Sequence, residues 1–489
     1  YRDYDASHLV AFAMGECGKF SRYLSLRAGA PYTYVSYGKG MEKEGVHGGQ
    51  TAPGQYTKAE LEALVAKKRV RLGYGLKKCE VEIPCSKSVA QRAIVASLFA
   101  KGKSVLKNYE PCNDINGAVE RVSGLGGAVS YGENGELIIE SEGAEMVCRK
   151  FRQNKSAFKG GVMEFDIGES GLLTRLMLPF AAYLTSESGG KESVRITGHG
   201  SILGRNLKGA AEAVSSLGLD CRVWQNSAGE GAYLPFVISG RMKRLDSIKI
   251  DGSESSQTVS GFLMMLPLLP YGTELIVTNP ASVPYIELTI NVLKRFSIEI
   301  GQRWRGNDLV FTINGGEHYK AASLYLEPDW SSASFFAVIY AIASMRECRA
   351  GKSGRDYRLL NMPLESSQAD KAILEILEHS GVELKYERRG SLYDIRIESP
   401  AKLKAFAFDA SNAPDLFPVA ALYATFCNGI SEIKGVGRLL QKESNRAESI
   451  YAEYTALGAD IEISGDYMYI RGGALHGGAV NSHNDHRIA

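Results

Sequence analysis

The chain has 489 residues, 44% of them hydrophobic and 23% charged, values of a globular protein of about two to four domains. Its 57 Lys and Arg nearly balance 55 Asp and Glu, so no nucleic-acid footprint covers the whole surface and any positive field must be local. The longest apolar runs, around 262–269 and 335–343, are too short to span a bilayer. Eight cysteines without C-x-x-C spacing or a Cys/His cluster point to a reduced, cytoplasmic, metal-free protein, with Cys79 and Cys85 as free thiols.

Residues 1–71 differ in texture from the rest. The alternating stretch Leu9-Val10-Ala11-Phe12-Ala13-Met14 reads as a buried strand, followed by a Gly/Lys/Ser/Arg turn, a short helix and a second strand over 33–36. A Gly-rich loop ends in Thr51-Ala52-Pro53-Gly54-Gln55. A helix over 57–68 follows, with Thr57 as N-cap, Glu60 completing a capping box, and Lys67-Lys68-Arg69 at the end that favours cations. This is the order of an α/β unit, with 67–78 as linker. The chain opens on Tyr1 without a targeting pattern and stops at Ala489, one turn into the helix that Asp485-His486-Arg487 should begin. It therefore reads as a piece cut at both ends.

From about Leu72 a repeat takes over. Six polar clusters run straight into apolar helical segments at roughly 70–85-residue intervals, which marks a repeated structural unit. They are Cys85-Ser86-Lys87-Ser88, Glu169-Ser170-Gly171, Ser255-Ser256-Gln257, Ser331-Ser332-Ala333-Ser334, Ala413-Pro414-Asp415 and Asn484-Asp485-His486-Arg487. Five second helices end in a small residue before an alternating strand, at Gly126, Gly218, Ser297, Gly381 and Gly458, the position where a helix turns left-handed. Two three-unit lobes facing each other, with the polar helix starts at the seam, follow from this. Free amides at helix N-termini attract anions, so converging starts would make a pocket for small phosphorylated acids.

The clusters differ in chemistry. Lys87, Ser88 and Arg92 share one helix face and suit a phosphate, or else are a cap and two solvated cations. Ser255, Ser256 and Gln257 give more hydrogen-bonding groups than one cap needs, and Ser282 and Tyr285 add a hydroxyl and an aromatic face, or ordinary packing. Lys442 and Arg446 flank Glu443 at helical spacing, as a solvated charged face or a carboxylate-binding pair beside a poised acid. Asp415, if buried among cations such as Arg487, would stay ionised and serve as a general base.

In these stretches, and in Gly168-x-Ser170-Gly171-x3-Arg175, Asp329-x-Ser331-Ser332-Ala333-Ser334 and Pro284-Tyr285-Ile286, residues from about 76 to 489 resemble the EPSP synthase family, the 3-phosphoshikimate 1-carboxyvinyltransferases. The resemblance implies a two-lobed inside-out α/β barrel of repeated βαβαββ units. The first lobe would be 72–84 with 326–489 and the second 85–325, closing over phosphoenolpyruvate and shikimate 3-phosphate with no cofactor or metal. It assigns shikimate 3-phosphate to Lys87, Ser88, Arg92, Ser255, Ser256, Gln257, Ser282, Tyr285, Asp415 and Lys442, and phosphoenolpyruvate to Lys87, Gly171, Gln257, Arg446 and Arg487. Asp415 would take the proton of the attacking hydroxyl, Glu443 would protonate the methylene carbon, and Lys87 would assist. The chain departs from the family at Glu169 and Leu172, at Ser201 where the family has Arg (with Arg205 nearby as substitute), and at Arg438 where the family has Asn.

Residues 1–71 resemble the C-terminal part of type I 3-dehydroquinate dehydratase, a TIM barrel, through Met14-Gly15, Gly18-Lys19-Phe20-Ser21-Arg22 and Ala52-Pro53-Gly54-Gln55. Arg22, Thr51 and Gln55 would hold its substrate, and a fusion of two shikimate-pathway enzymes is the implied parent. Rival readings are a UDP-N-acetylglucosamine enolpyruvyl transferase, which needs a reactive loop Cys, and an inactive repeat scaffold.

Overall fold

The computed structural model describes residues 78–489 apart from 154–157, 160, 161, 353, 441, 443, 484, 486 and 489. It also describes the backbone of two short strands, Val35–Ser36 and Tyr56–Thr57, which pair in parallel. The remaining elements expected before residue 78 lie outside the described residues.

One connection pattern recurs in five sheets. Ser247–Asp251 runs parallel to Thr273–Thr278, which pairs antiparallel with Asp308–Ile313, which pairs antiparallel with Gly301–Arg305. The helices Ser256–Met265 and Val283–Arg295 fall between them, giving βαβαββ in chain order. The sheet led by Val162–Asp166 and that led by Ala407–Asp409 repeat this order, the first with Phe158–Lys159 added at its edge. In the other two sheets the leading strand comes from far away. Ser323–Tyr325 pairs with Lys101–Lys107, and Lys78–Glu82 pairs with Asp356–Met362.

This exchange follows from the path of the chain between two hydrophobic cores. One core gathers side chains from Cys85 to Leu326; the other takes Ile83 and then Trp330 to Ile470. The chain crosses twice, and the crossings lie side by side. Ser86 N donates to Glu327 O at 2.8 Å, Asp329 N donates to Pro84 O at 2.9 Å, and Cys85 bridges Pro328.

Helices lie inward and sheets outward, as expected for an inside-out arrangement, although the sheets stay separate and do not close into one barrel. The helices Lys87–Phe99 and Gly171–Glu187 are buried nearly all round, packed on every side. Gly171–Glu187 meets Ser256–Met265 at Gly261, where a Cβ would collide with the Arg175 carbonyl oxygen. The expected helix ends are all left-handed: φ is +96° at Gly126, +87° at Gly218, +63° at Ser297, +94° at Gly381 and +90° at Gly458. The apolar segment after Ala413-Pro414-Asp415 forms a helix over Phe417–Ala424, with Pro418 in its first turn and 425–426 closing as a turn. Asp485 and Arg487 are joined by a backbone-to-carboxylate bond of 2.9 Å within a turn. No helix among the described residues is long and apolar enough to cross a membrane.

Candidate functional site

In the second lobe the polar helix starts are built as the sequence suggests, with one change of role. Ser255 caps its helix by accepting from Gln257 N at 3.2 Å, and Ser170 caps the next by accepting from Leu173 N at 3.1 Å. Ser170 Oγ also donates to Gln91 Oε1 at 3.0 Å, tying the Gly171 helix to the Lys87 helix. Lys87 heads its helix in an ion pair with Asp114 at 2.9 Å, with Ser88 beside it, half-buried. Arg92, expected to touch substrate, is fully buried. It donates to Thr289 Oγ1 at 2.7 Å, Ser260 Oγ at 3.2 Å and the carbonyls of Ser88 and Tyr285. Through these bonds Arg92 links the helices Lys87–Phe99, Ser256–Met265 and Val283–Arg295.

The start at Gly171 is cationic. A Cβ there would stand 2.7 Å from Arg205 Nη1 and 3.2 Å from Arg175 Nη1, so glycine leaves both guanidinium groups room that a side chain would make them yield. Arg175 Nη1 also reaches Gln257 Oε1 at 3.4 Å, and Arg205 Nη2 reaches Ser201 Oγ at 3.5 Å. Arg205 thus reaches the helix end beside Ser201, where the family has an arginine. Glu169 turns away, accepting from Ser201 N at 3.2 Å.

In the first lobe the charges converge on Asp415. Arg446 Nη1 donates to its carboxylate at 2.7 Å, Lys442 lies at 3.5 Å and Arg487 at 3.7 Å. Burial pushes the Asp415 carboxyl upward, but these three cations outweigh it and hold the group well below the usual carboxylate range. Arg446 is 1% exposed and also grips Asp485, with Nε at 2.7 Å and Nη2 at 3.2 Å. Arg487 lies over the Phe335 ring at 6.0 Å; burial alone would lower its pKa, yet Asp415, Asp370 and Asp329 raise it. Glu443, Arg22, Thr51 and Gln55 lie outside the described residues.

Asp370 was not foreseen. It is buried beside Asp415, accepts from Ser331 Oγ, and is pushed up to about 6 by burial and then by the charge of Asp415. Its signal in the sequence is the polar run Ser366-Ser367-Gln368-Ala369 ahead of the helix Ile373–His379, a further polar start lying off the repeat. Gln368 secures the crossing by donating to Pro328 O and Glu327 Oε1, both at 2.8 Å, and accepting from Trp330 N at 3.0 Å.

The two lobes meet here through side chains. Tyr285 Oη donates to Asp370 Oδ1 at 3.4 Å, and burial followed by the Asp370 charge keeps this phenol protonated. Arg438 Nη2 donates to Ser282 Oγ at 3.3 Å, and Asn291 Nδ2 donates to Ser367 Oγ at 3.3 Å. Lys87, Gln257 and Ser282 thus lie on one lobe, and Asp415, Lys442, Arg446 and Arg487 on the other.

Two α/β lobes with hydroxyl-bearing helix starts on one and a caged carboxylate on the other define a protein that handles small anions between its halves. Residues 76–489 match the model of the EPSP synthase (3-phosphoshikimate 1-carboxyvinyltransferase) family, and the chain belongs to it. A 3-phosphoshikimate 1-carboxyvinyltransferase of Clostridium botulinum (strain Alaska E43 / Type E3) is 33% identical over 418 residues, 85% of this chain and 87% of that one. The enzyme of that name from Clostridioides difficile (strain 630) is 31% identical over 414 residues, 84% and 86% of the two chains. An EPSP synthase structure from Acinetobacter baumannii superposes with a TM-score of 0.64 at 23% identity, over 84% of this chain and 87% of that chain. Residues 2–68 match type I 3-dehydroquinase.

Proposed function

We propose that residues of this cleft transfer the enolpyruvyl group of phosphoenolpyruvate to the 5-hydroxyl of shikimate 3-phosphate, releasing phosphate. The observation that carries the reading is the caging of Asp415 by Lys442, Arg446 and Arg487, three cations drawn from two separate motifs. Oxygen 5 of the acceptor attacks C2 of phosphoenolpyruvate while C3 takes a proton. The tetrahedral intermediate then loses phosphate from C2 and a proton from C3 to restore the double bond.

Asp415 is the base for the hydroxyl proton. With Arg446 donating to it, Asp415 is ionised but weakly basic. Two anionic substrates draw the charge of Arg446 and Lys442 onto themselves, and the basicity of Asp415 rises when they bind. Lys87 and the Ser255, Ser256 and Ser282 hydroxyls take the acceptor. Gly171, Gln257, Arg446 and Arg487 take phosphoenolpyruvate, with Arg205 in the role of the family arginine that Ser201 replaces. Glu443 is assigned the proton on C3. Arg92 supports the acceptor side from behind, by bracing Ser88 and Tyr285.

The two hydrophobic cores support a division into a first lobe of 72–84 and 326–489 and a second of 85–325. Residues 1–71, with Arg22, Thr51 and Gln55, are read as part of a fused 3-dehydroquinate dehydratase, on the strength of the family match there. The cysteines among the described residues are free, which suits a cytoplasmic enzyme. The test is phosphate release from phosphoenolpyruvate with shikimate 3-phosphate and, separately, with UDP-N-acetylglucosamine as acceptor. Release with the first alone is expected; release with the second alone, or with neither, overturns the reading.

A further inference from the structure

After the last strand, Tyr467–Arg471, the chain runs toward Asp485 without regular structure, and residues 476–481 are exposed. Its far end is nevertheless fixed. Asp485 is 1% exposed and accepts the Arg446 fork, Ser444 Oγ donates to it at 3.1 Å, and Arg487 N donates to its Oδ1 at 2.9 Å. From there the Arg487 guanidinium reaches Asp415 at 3.7 Å.

Glu453 sets the path into that end. Its Oε2 accepts from Asn481 N at 2.8 Å, and its Oε1 pairs with His483 Nε2 at 2.7 Å. Among the described residues of 477–483, every hydrogen bond that leaves the stretch 476–485 ends on this carboxylate. His483 N donates to Asn481 Oδ1 at 2.8 Å, and His483 stands at φ +52°, a left-handed turn that a residue with a Cβ takes at a cost. The Asn481 amide, and after it His483, outweigh burial and hold the Glu453 carboxyl below its usual range.

Glu453 lies two turns after Arg446 on the helix Arg446–Ala456, and on the same face. One rigid helix therefore holds the segment at two points: Asp485 through Arg446, and 481–483 through Glu453. A cavity of about 570 Å³ lies between them, its lining including Asn445, Glu448 and Ser449 on the helix and Asn481 and His483 on the segment. Hydrogen bonds rather than close packing thus set the register of this stretch.

We propose that Glu453 is a positioning residue for Arg487: by latching 481–483 to the helix that Arg446 begins, it sets where the Arg487 guanidinium stands in the cleft. The inference rests on Arg446 and Arg487 binding phosphoenolpyruvate. Glu453 acts through the chain it holds and touches no substrate. Loss of the latch leaves the acceptor side intact and lets the Arg487 turn shift.

The test is steady-state kinetics of the full chain, E453A and E453Q, with each substrate varied at saturation of the other, beside calorimetric titration with shikimate 3-phosphate alone. In E453A the KM for phosphoenolpyruvate should rise about 5- to 50-fold and kcat fall by a similar factor, because a group displaced by about 1 Å costs up to about 100-fold. The KM and Kd for shikimate 3-phosphate should stay within about twofold. E453Q keeps an oxygen for the Asn481 amide and loses the charge, so its KM for phosphoenolpyruvate should rise by less, but at least about threefold. It becomes the deciding variant if circular dichroism shows E453A unfolded. A KM for phosphoenolpyruvate in the deciding variant within about twofold of the parent, or an equal rise for both substrates, overturns the role of Glu453 alone. A parent chain that releases no phosphate with shikimate 3-phosphate overturns the proposed function, and the role of Glu453 with it.

Discussion

Two carboxylates in one cleft are driven in opposite directions by their neighbours. Asp370, buried and facing Asp415, keeps its proton up to about pH 6, above its ordinary value of 3.8. Its native state binds a proton more tightly than the unfolded chain, so it lowers stability progressively as pH rises from about 4 to 6, and by a constant amount beyond. Asp370→Asn, neutral at every pH, should therefore be more stable than the parent by about 1–3 kcal/mol at pH 8 and equal to it near pH 4. Urea unfolding at both pH values measures this; equal stability at pH 8 would mean the group ionises without penalty. Asp415 is the reverse case, its folded pKa depressed by Lys442, Arg446 and Arg487 against the effect of burial. Its contribution is present above the ordinary carboxylate range and is lost as pH falls through the lowered value. Asp415→Asn should be less stable at pH 7, because Arg446 at 1% exposure loses the Asp415 carboxylate, and the deficit should vanish in strong acid. The same variant should lose about 10²–10⁴ in kcat, the share of a positioned base; retention of most turnover would remove Asp415 from that role.

At the scale of elements, the repeat is held by local chemistry and the site by pairings that are not local. Helix ends at Gly126, Gly218, Gly381 and Gly458 were legible because a left-handed residue there needs no distant partner. Ser297 fills the fifth such position with a Cβ at φ +63°, exposed and strained. Ser297→Gly should thus gain about 1 kcal/mol in chemical denaturation, whereas Gly458→Ala should lose at least as much. At Gly458 the new Cβ would meet His476 Cδ2 at 2.9 Å as well as the positive φ. A loss on Ser297→Gly would show that the hydroxyl holds something worth more than the strain. The exchange of leading strands between the Lys101–Lys107 and Asp356–Met362 sheets was not legible in the repeat itself, since a period names the repeating unit and not its partner in space; only the family resemblance implied that 72–84 joins 326–489. The burial of Arg92 shows the same limit: helical spacing put it on the face of Ser88, but its partners Thr289 and Ser260 come from helices far along the chain. Asp370 escaped because its polar run falls between two repeats.

The whole molecule carries a formal charge of only +2, yet its cleft collects Arg175, Arg205, Lys442, Arg446, Arg487 and Arg438. Paired carboxylates such as Asp415 and Asp485 keep these side chains ordered and partly discharged, so the field on an incoming dianion is short-ranged. Two cores joined by crossings at 83–86 and 326–329 hold that field on opposing walls, with Tyr285–Asp370 and Asn291–Ser367 as direct contacts between them. Substrate capture must then depend on ionic strength more than either stability or chemistry does. Raising salt from about 0.02 to 0.3 M shrinks the screening length from about 20 Å to below 10 Å, which weakens attraction at the cleft mouth and barely touches charges already within 4 Å. The expected outcome is a fall of about 3- to 10-fold in kcat/KM for both phosphoenolpyruvate and shikimate 3-phosphate, with kcat within twofold and an unchanged melting temperature. A kcat/KM independent of salt would mean that neutral groups, rather than the opposed cations of the two lobes, draw the substrates in.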